Sequence, residues 1–206
     1  MAQSEMDARQ GALALVSGVL DRGRSLAEQG DAPLRDLPGP ERARAQALAL
    51  ATLRHLGRID ALLAPFLTRT PPAPAYHVLR LGVADLHVLG TAPHAAVDGA
   101  VRLARDACPG PRQAGLVNAV LRRAVEPGLW EAAPEAPLPA WIATPVRKAF
   151  GRAALAPLAA AHARDSVPLD LTLKPGEDAA AWAALLEAEI LPTGSLRRAR
   201  PGQVTA

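Results

Sequence analysis

Three observations in the 206-residue sequence predict a mainly α protein: a helical bundle, a helical linker and an incomplete α+β segment. Apolar residues recur at three- and four-residue spacing from the N-terminus to about residue 127, the period of an amphipathic helix. Proline and glycine interrupt that pattern at short intervals, which divides it into five to seven helices with short connections. Near Val167 the period changes to two, as in a half-buried strand.

The first helix is expected from about Ser4 to Leu20, with Leu13, Val16 and Leu20 on one face and Arg9, Arg22 and Arg24 bracketing it. After a loop over Gly30–Pro40, a long helix opens at Glu41, with Ala45, Leu48, Ala49, Thr52, Leu53 and Leu56 in repeat and a break at Gly57. A further helix carries Ile59, Leu62, Leu63 and Phe66, and Pro71, Pro72 and Pro74 end it. The stretch AYHVLRLGVADLHVLG is apolar around most of its circumference and is expected to be the central, most buried helix. Gly82 within it costs about 1 kcal/mol relative to alanine unless a neighbouring helix must approach closely there.

Thr91–Val125 organises the remainder of the bundle as two helices joined at a Pro-Gly-Pro corner. In the first, Thr91 is expected to cap the start and Pro93 to sit in the opening turn, with Val97, Val101 and Ala104 in one stripe. Arg102 and Arg105 lie off that stripe. In the second, Leu116, Val117, Val120, Leu121 and Ala124 form the apolar face, and Arg122 and Arg123 fall outside it.

Glu126–Pro139 is read as a proline-rich linker, from which Trp141 anchors the following segment back onto the bundle. Two short helices then separate near Gly151. In VPLDLTLK, Leu169, Leu171 and Leu173 alternate with polar residues, which makes a strand; Glu177–Glu189 is a helix with Trp182, Leu185, Leu186 and Ile190 inward; Gly194–Ala199 is a second strand. The expected domains are therefore 1–127, 128–166 and 167–206.

Composition limits the chemistry. The formal charge is +3 and lysine occurs only at Lys148 and Lys174, so the positive charge is almost all guanidinium, suited to phosphate contacts. Cys108 is the single cysteine, which excludes a disulfide framework and a zinc site of usual Cys/His spacing; a reducing cytoplasm is the expected compartment. Apolar runs break well short of the roughly 18 residues needed to cross a bilayer. Neither a Gly-x-Gly-x-x-Gly nor a Walker-type loop occurs. His77 and His87, ten residues apart, differ by about 280° around a helix and do not share a face for a metal. His55 reads as a partner for backbone or carboxylate.

The segments ERARAQALALATLRHLGRID, VLRLGVADLHVLG, PHAAVDGAVRLAR and LVNAVLRR follow in order and spacing the pattern of the NusB-like RNA-binding domain. Over roughly Gln10–Val125 the chain most resembles the version of that domain at the front of the bacterial 16S ribosomal RNA 5-methylcytosine methyltransferases called RsmB, Sun or Fmu. It departs at Asp98–Gly99, where that family more often has Asn–Glu, so any hydrogen bond made by the glutamate is lost. The resemblance implies a NusB-like all-helical bundle, ribosomal RNA as partner, then a small RRM-like subdomain leading to a Rossmann-type catalytic domain. It implies S-adenosylmethionine as cofactor of the full-length family, with no catalytic, cofactor or metal residue expected in this chain, and neither DNA nor membrane as a partner. Cys108, in DACPG at a helix end, is not expected to be the family's nucleophile.

Aromatic residues are 3% of the chain, and VPLDLTLK has none to stack a base, so RNA binding is expected to rest on arginines. The candidates are Arg9, Arg22, Arg24, Arg102, Arg105, Arg122 and Arg123, each of which reads equally as solvated surface. Two competing classes stay open: an antitermination factor like NusB, which binds RNA together with a ribosomal protein, and a helical protein-interaction module.

Overall fold

The computed structural model describes residues 7–134, 138–164 and 167–199. The chain divides into two compact units, Met1–Ala159 and Ala160–Ala206.

In the first unit, α1 runs over Ala8–Leu20. It starts with a capping box in which the Asp7 carboxylate accepts from the Gln10 N–H while the Gln10 side chain accepts from the Asp7 N–H. The expected start at Ser4 lies outside the described residues. A short α2 (Leu26–Gln29) turns the chain, and Gln29, buried beneath Gly18, donates to the Leu15 carbonyl. The next helix, α3 (Gly39–Arg54), opens two residues before Glu41, because Pro38 and Pro40 supply the φ that a first turn needs. It ends at His55, where Gly57 was expected to break it, and α4 (Leu56–Leu63) follows directly.

The central helix is α5 (Ala73–His87), which packs against α1, α3 and α4 as well as α6 (Pro93–Ala107) and α7 (Pro111–Ala124). Val78, Leu79, Leu81, Val83 and Ala84 are buried within it. Gly82 answers the condition set for it: a Cβ there would stand 2.6 Å from Leu121 Cδ1, so its absence lets α7 close on α5. On α6 the buried stripe holds Ala96, Val97, Ala100, Leu103 and Ala104, while Val101 is half-buried; on α7 it holds Val117, Val120, Leu121 and Ala124. Thr91 does not cap α6. The cap position falls one residue later, to Ala92, and the Thr91 hydroxyl donates to the Asp85 carboxylate at 2.6 Å while accepting from Arg44 at 3.2 Å.

The stretch read as a linker begins as part of the bundle. A one-turn α8 (Leu129–Ala132) holds Trp130 stacked on His87 (5.5 Å, 7° between planes) and edge-on to His55. The Arg58 guanidinium lies over its ring and donates to its carbonyl at 2.6 and 3.1 Å. Trp130 is therefore the anchor. Trp141, expected in that role, exposes 77% of its surface on α9 (Ala140–Phe150). A 3₁₀ turn over Arg152–Ala154 and α10 (Leu155–His162) follow, separated from α9 at Gly151 as expected.

The second unit is a three-stranded antiparallel sheet of order β1-β3-β2, with β1 at Leu169–Leu171, β2 at Glu189–Ile190 and β3 at Leu196–Arg198. Both outer strands run antiparallel to β3, so β1, α11 (Ala179–Leu186) and β2 form a split β-α-β unit. Leu171 and Ile190 both pair with Leu196, which is fully buried, and α11 packs against β2 and β3. The expected helix and strands shorten at both ends, and β2 was not anticipated. Nor do all the inward assignments hold: Trp182 and Ile190 are exposed and Leu185 is 72% exposed, because a three-stranded sheet and a two-turn helix cover only part of each other.

Candidate nucleic-acid interface

The exposed side of α6 carries His94, Asp98, Arg102 and Arg105. Their spacings of four, four and three residues put them on one ridge about 16 Å long. Its apolar stripe faces α5 and α7, which forces these polar positions outward. Two grooves flank the ridge. One, about 480 Å³, is lined by Arg9, Ala95, Asp98, Val101, Arg102 and Arg105; the other, about 400 Å³, by Pro93, His94, Val97, Asp98, Arg122 and Val125. Asp98 belongs to both.

Arg9 is an internal member of the first groove. Its side chain is 16% exposed, its Nε and Nη2 donate to Asp85 Oδ2 at 3.0 and 2.7 Å, and Nη2 also reaches the Ala95 carbonyl. Asp85, 1% exposed, accepts in addition from Arg44 and Thr91 at its other oxygen. Two guanidinium groups thus share one buried carboxylate, which leaves one positive charge beside the ridge and pins α1, α3, α5 and the start of α6 together. The guanidinium of Arg9 fills the space beside Gly99, where a Cβ would come within 2.4 Å of it. A side chain at position 99 would evict it. The carboxylate that pairs with Arg9 comes from α5.

The other candidates divide by location. Arg102, Arg105 and Arg122 are exposed and sit at the grooves, and Arg122 donates to Asn118 within its own helix at 3.1 Å. Arg123, next in sequence, turns about 100° away and lies over the Phe66 ring at 4.5 Å. Arg22 and Arg24 are exposed beyond the far end of α1, about 20 Å from Arg9 along that helix, and donate to the carbonyls of Ala14 and Glu28. The structure therefore brings Arg9, Arg102 and Arg105 together in one groove, sets Arg122 in the groove on the other flank of the ridge, and separates Arg22, Arg24 and Arg123 from both. Sequence reasoning missed Asp85 and Arg44. The signal was Asp85, the one acid of α5, set between apolar neighbours Val83, Ala84 and Leu86, since a charge carried into a core requires a partner.

Nothing among the described residues adds reactive chemistry to this surface. Cys108 is buried at the end of α6, and burial pushes its thiol above the ordinary range, which favours the unreactive protonated form. His77 is engaged by Asp21 and Arg80, and His87 by Trp130 and the Ala124 carbonyl. No group of three or more His, Cys, Asp or Glu among the described residues could hold a metal ion, and no described helix is long and apolar enough to cross a membrane. On the exposed row of the small sheet, Asp170, Arg197 and Glu189 stand side by side, so no aromatic platform is presented there.

A bundle built around one buried central helix, with an arginine-bearing ridge between two open grooves, defines an all-helical domain. Residues 6–126 match the NusB family, and the chain belongs to it. The chain is also similar to the ribosomal RNA small subunit methyltransferase B of Xanthomonas campestris pv. campestris, 37% identical over 147 residues, which cover 69% of this chain and 33% of that protein. The proteins of the same description from Thermus thermophilus and Xylella fastidiosa (strain 9a5c) are 40% identical over 144 residues and 36% over 143. Each match covers 66% of this chain, and 34% and 33% of those proteins. The chain thus spans about a third of the length of the curated relatives it matches.

Proposed function

We propose that this chain is the RNA-recognising N-terminal region of a small-subunit ribosomal RNA methyltransferase, and that it positions the RNA for a catalytic domain carried elsewhere in the longer protein. The observation that carries this reading is the α6 ridge: Arg102 and Arg105 line the groove on one flank and Arg122 the groove on the other, beside an Arg9–Arg44–Asp85 cluster that keeps one net positive charge. Guanidinium groups so placed suit phosphate oxygens, which position a nucleic acid without reading its sequence. Arg9 would act through its place in the first groove, and Arg22, Arg24 and Arg123 as outlying contacts. The proteins of similar sequence are methyltransferases by description, which makes S-adenosylmethionine the proposed donor for the longer protein. No described strand here leads into a glycine-rich loop opening a helix, so that cofactor's site is assigned to the remainder.

The test is filter binding of the chain to naked small-subunit rRNA at two salt concentrations. Replacing Arg102 and Arg105 with alanine should weaken binding about tenfold at low salt and flatten the salt dependence by about 2 log units per log unit, at unchanged thermal stability. Replacing Arg122 and Arg123 should act mainly through Arg122. Unchanged affinity in both double variants would remove the ridge from the interface, and methyl transfer by this chain alone would overturn the division of labour.

A further inference from the structure

The segment after the bundle carries a surface that the ridge does not explain. From Leu138 to Arg164 the sequence contains no Asp or Glu, yet it holds Arg147, Lys148, Arg152 and Arg164. Within it, Trp141 is 77% and Phe150 76% exposed, although the chain has only six aromatic residues of the Trp, Tyr and Phe types. Among the described residues, Arg147, Lys148 and Arg152 have no ion-pair or hydrogen-bond partner to hold their side chains down. Trp141 and Lys148 are seven residues apart on α9, which is 20° short of two full turns; they share one face, about 10 Å apart along the axis. Arg147 lies on the flank of that face, and Arg152 follows two residues beyond the helix.

Each part of this arrangement has an ordinary explanation alone, since single exposed apolar side chains are common. Together they match one kind of ligand. An indole ring presented to solvent offers a flat π surface, and unneutralised cations one to two turns away are spaced for phosphates adjoining a stacked base. A duplex has no free base face to offer the ring. An apolar protein surface would use the indole but gain nothing from three cations without acids among them. The charge complementarity therefore selects an unpaired polyanionic strand.

We propose that Trp141, with Lys148 and Arg147, is a stacking site for an unpaired base of single-stranded RNA, separate from the ridge on α6. This inference rests on the reading of the chain as RNA-binding and adds to it the strand type and the contact residue. The sheet of the second unit, whose exposed row is Asp170, Arg197 and Glu189, offers no comparable ring.

The experiment uses the whole chain and three probes: a 12-nucleotide oligoadenylate, a 12-base-pair RNA duplex, and vesicles rich in phosphatidylglycerol. The oligoadenylate should quench tryptophan fluorescence in the parent protein, and most of that quenching should vanish in Trp141→Leu. The same substitution should raise the Kd for the single strand about tenfold and change the duplex Kd less than twofold. Replacing Arg147 and Lys148 with alanine should reduce the single-strand salt slope by about 1.4 while leaving Trp141 able to quench. Because Trp141 is largely exposed, an unchanged melting temperature is expected and serves as the folding control.

Equal quenching and equal affinity in Trp141→Leu would overturn the site, as would a response to vesicles but not to oligoadenylate, or self-association that disappears in Trp141→Leu. The same titrations with the Arg102, Arg105 double variant separate the two proposals. Loss of rRNA binding there with no effect of Trp141→Leu sinks the stacking site alone; the converse sinks the ridge alone. No binding of any RNA by the parent chain sinks both.

Discussion

Removing the Asp85 carboxylate would leave the mostly buried Arg9 guanidinium without a counter-charge and release the Thr91 hydroxyl. Breaking a buried ion pair from one side costs about 3–5 kcal/mol. Arg44 is 40% exposed and can turn to water, so its share is small and the expected loss for Asp85→Ala is about 3 kcal/mol. Urea denaturation measures it, and a loss under about 1 kcal/mol would mean that solvent reaches Arg9. The same residue shows how far single positions could be read from the sequence. A lone acid among apolar neighbours signals a buried partner, but nothing local names Arg9 and Arg44, which are 76 and 41 residues away.

Helix packing provides a paired comparison at two glycines. Gly82→Ala on α5 drives a methyl group into Leu121, and overpacking of that kind costs about 1–3 kcal/mol against a helix-propensity gain of about 1. A net loss of stability is expected. Gly115→Ala on α7 meets nothing within 4 Å, so it should stabilise by up to about 1 kcal/mol. Thermal melts of the two variants must therefore move in opposite directions; parallel shifts would contradict the close approach of α5 and α7.

In the small sheet, Asp170 and Arg197 are directly opposed and joined by two 2.7 Å hydrogen bonds. The hydrogen bond from Arg197 holds the Asp170 carboxyl below its ordinary range, with the guanidinium charge acting in the same direction. A depressed carboxyl contributes stability that is present above the ordinary carboxylate range and is lost as pH falls through the depressed value. An NMR titration of the Asp170 carboxyl should show the low midpoint, and Arg197→Ala should return it to the ordinary range. An unchanged midpoint in that variant would rule out Arg197 as the cause.

For the molecule as a whole, the modest charge of +3 understates how the cations are arranged. One group stands on the α6 ridge around a partly neutralised Arg9, and another forms an acid-free run after the bundle. The helices of the bundle were legible because the 3.6-residue period and the proline and glycine boundaries are local properties that propagate over ten or more residues. Their ends were less so: Thr91 has the side chain of a cap, but α6 starts one residue later and the hydroxyl lies between Asp85 and Arg44. The anchoring role expected of Trp141 is taken by Trp130, to which the sequence reading assigned none. The start of α4, with His55 and Arg58, and the end of α5, with His87, together make a socket, and it encloses Trp130.

The sequence by itself determined the bundle, its central helix, the change to strand after Val167 and the exposure of Arg102, Arg105, Arg122 and Arg123, because periodicity assigns each residue a side of its own helix. Only the tertiary structure decided which arginines meet. Arg9 became part of an internal ion cluster, Arg123 turned onto Phe66, and Arg22 and Arg24 stayed at the other end of α1. Those outcomes depend on which helices lie side by side, a long-range geometry that spacing along one chain does not contain.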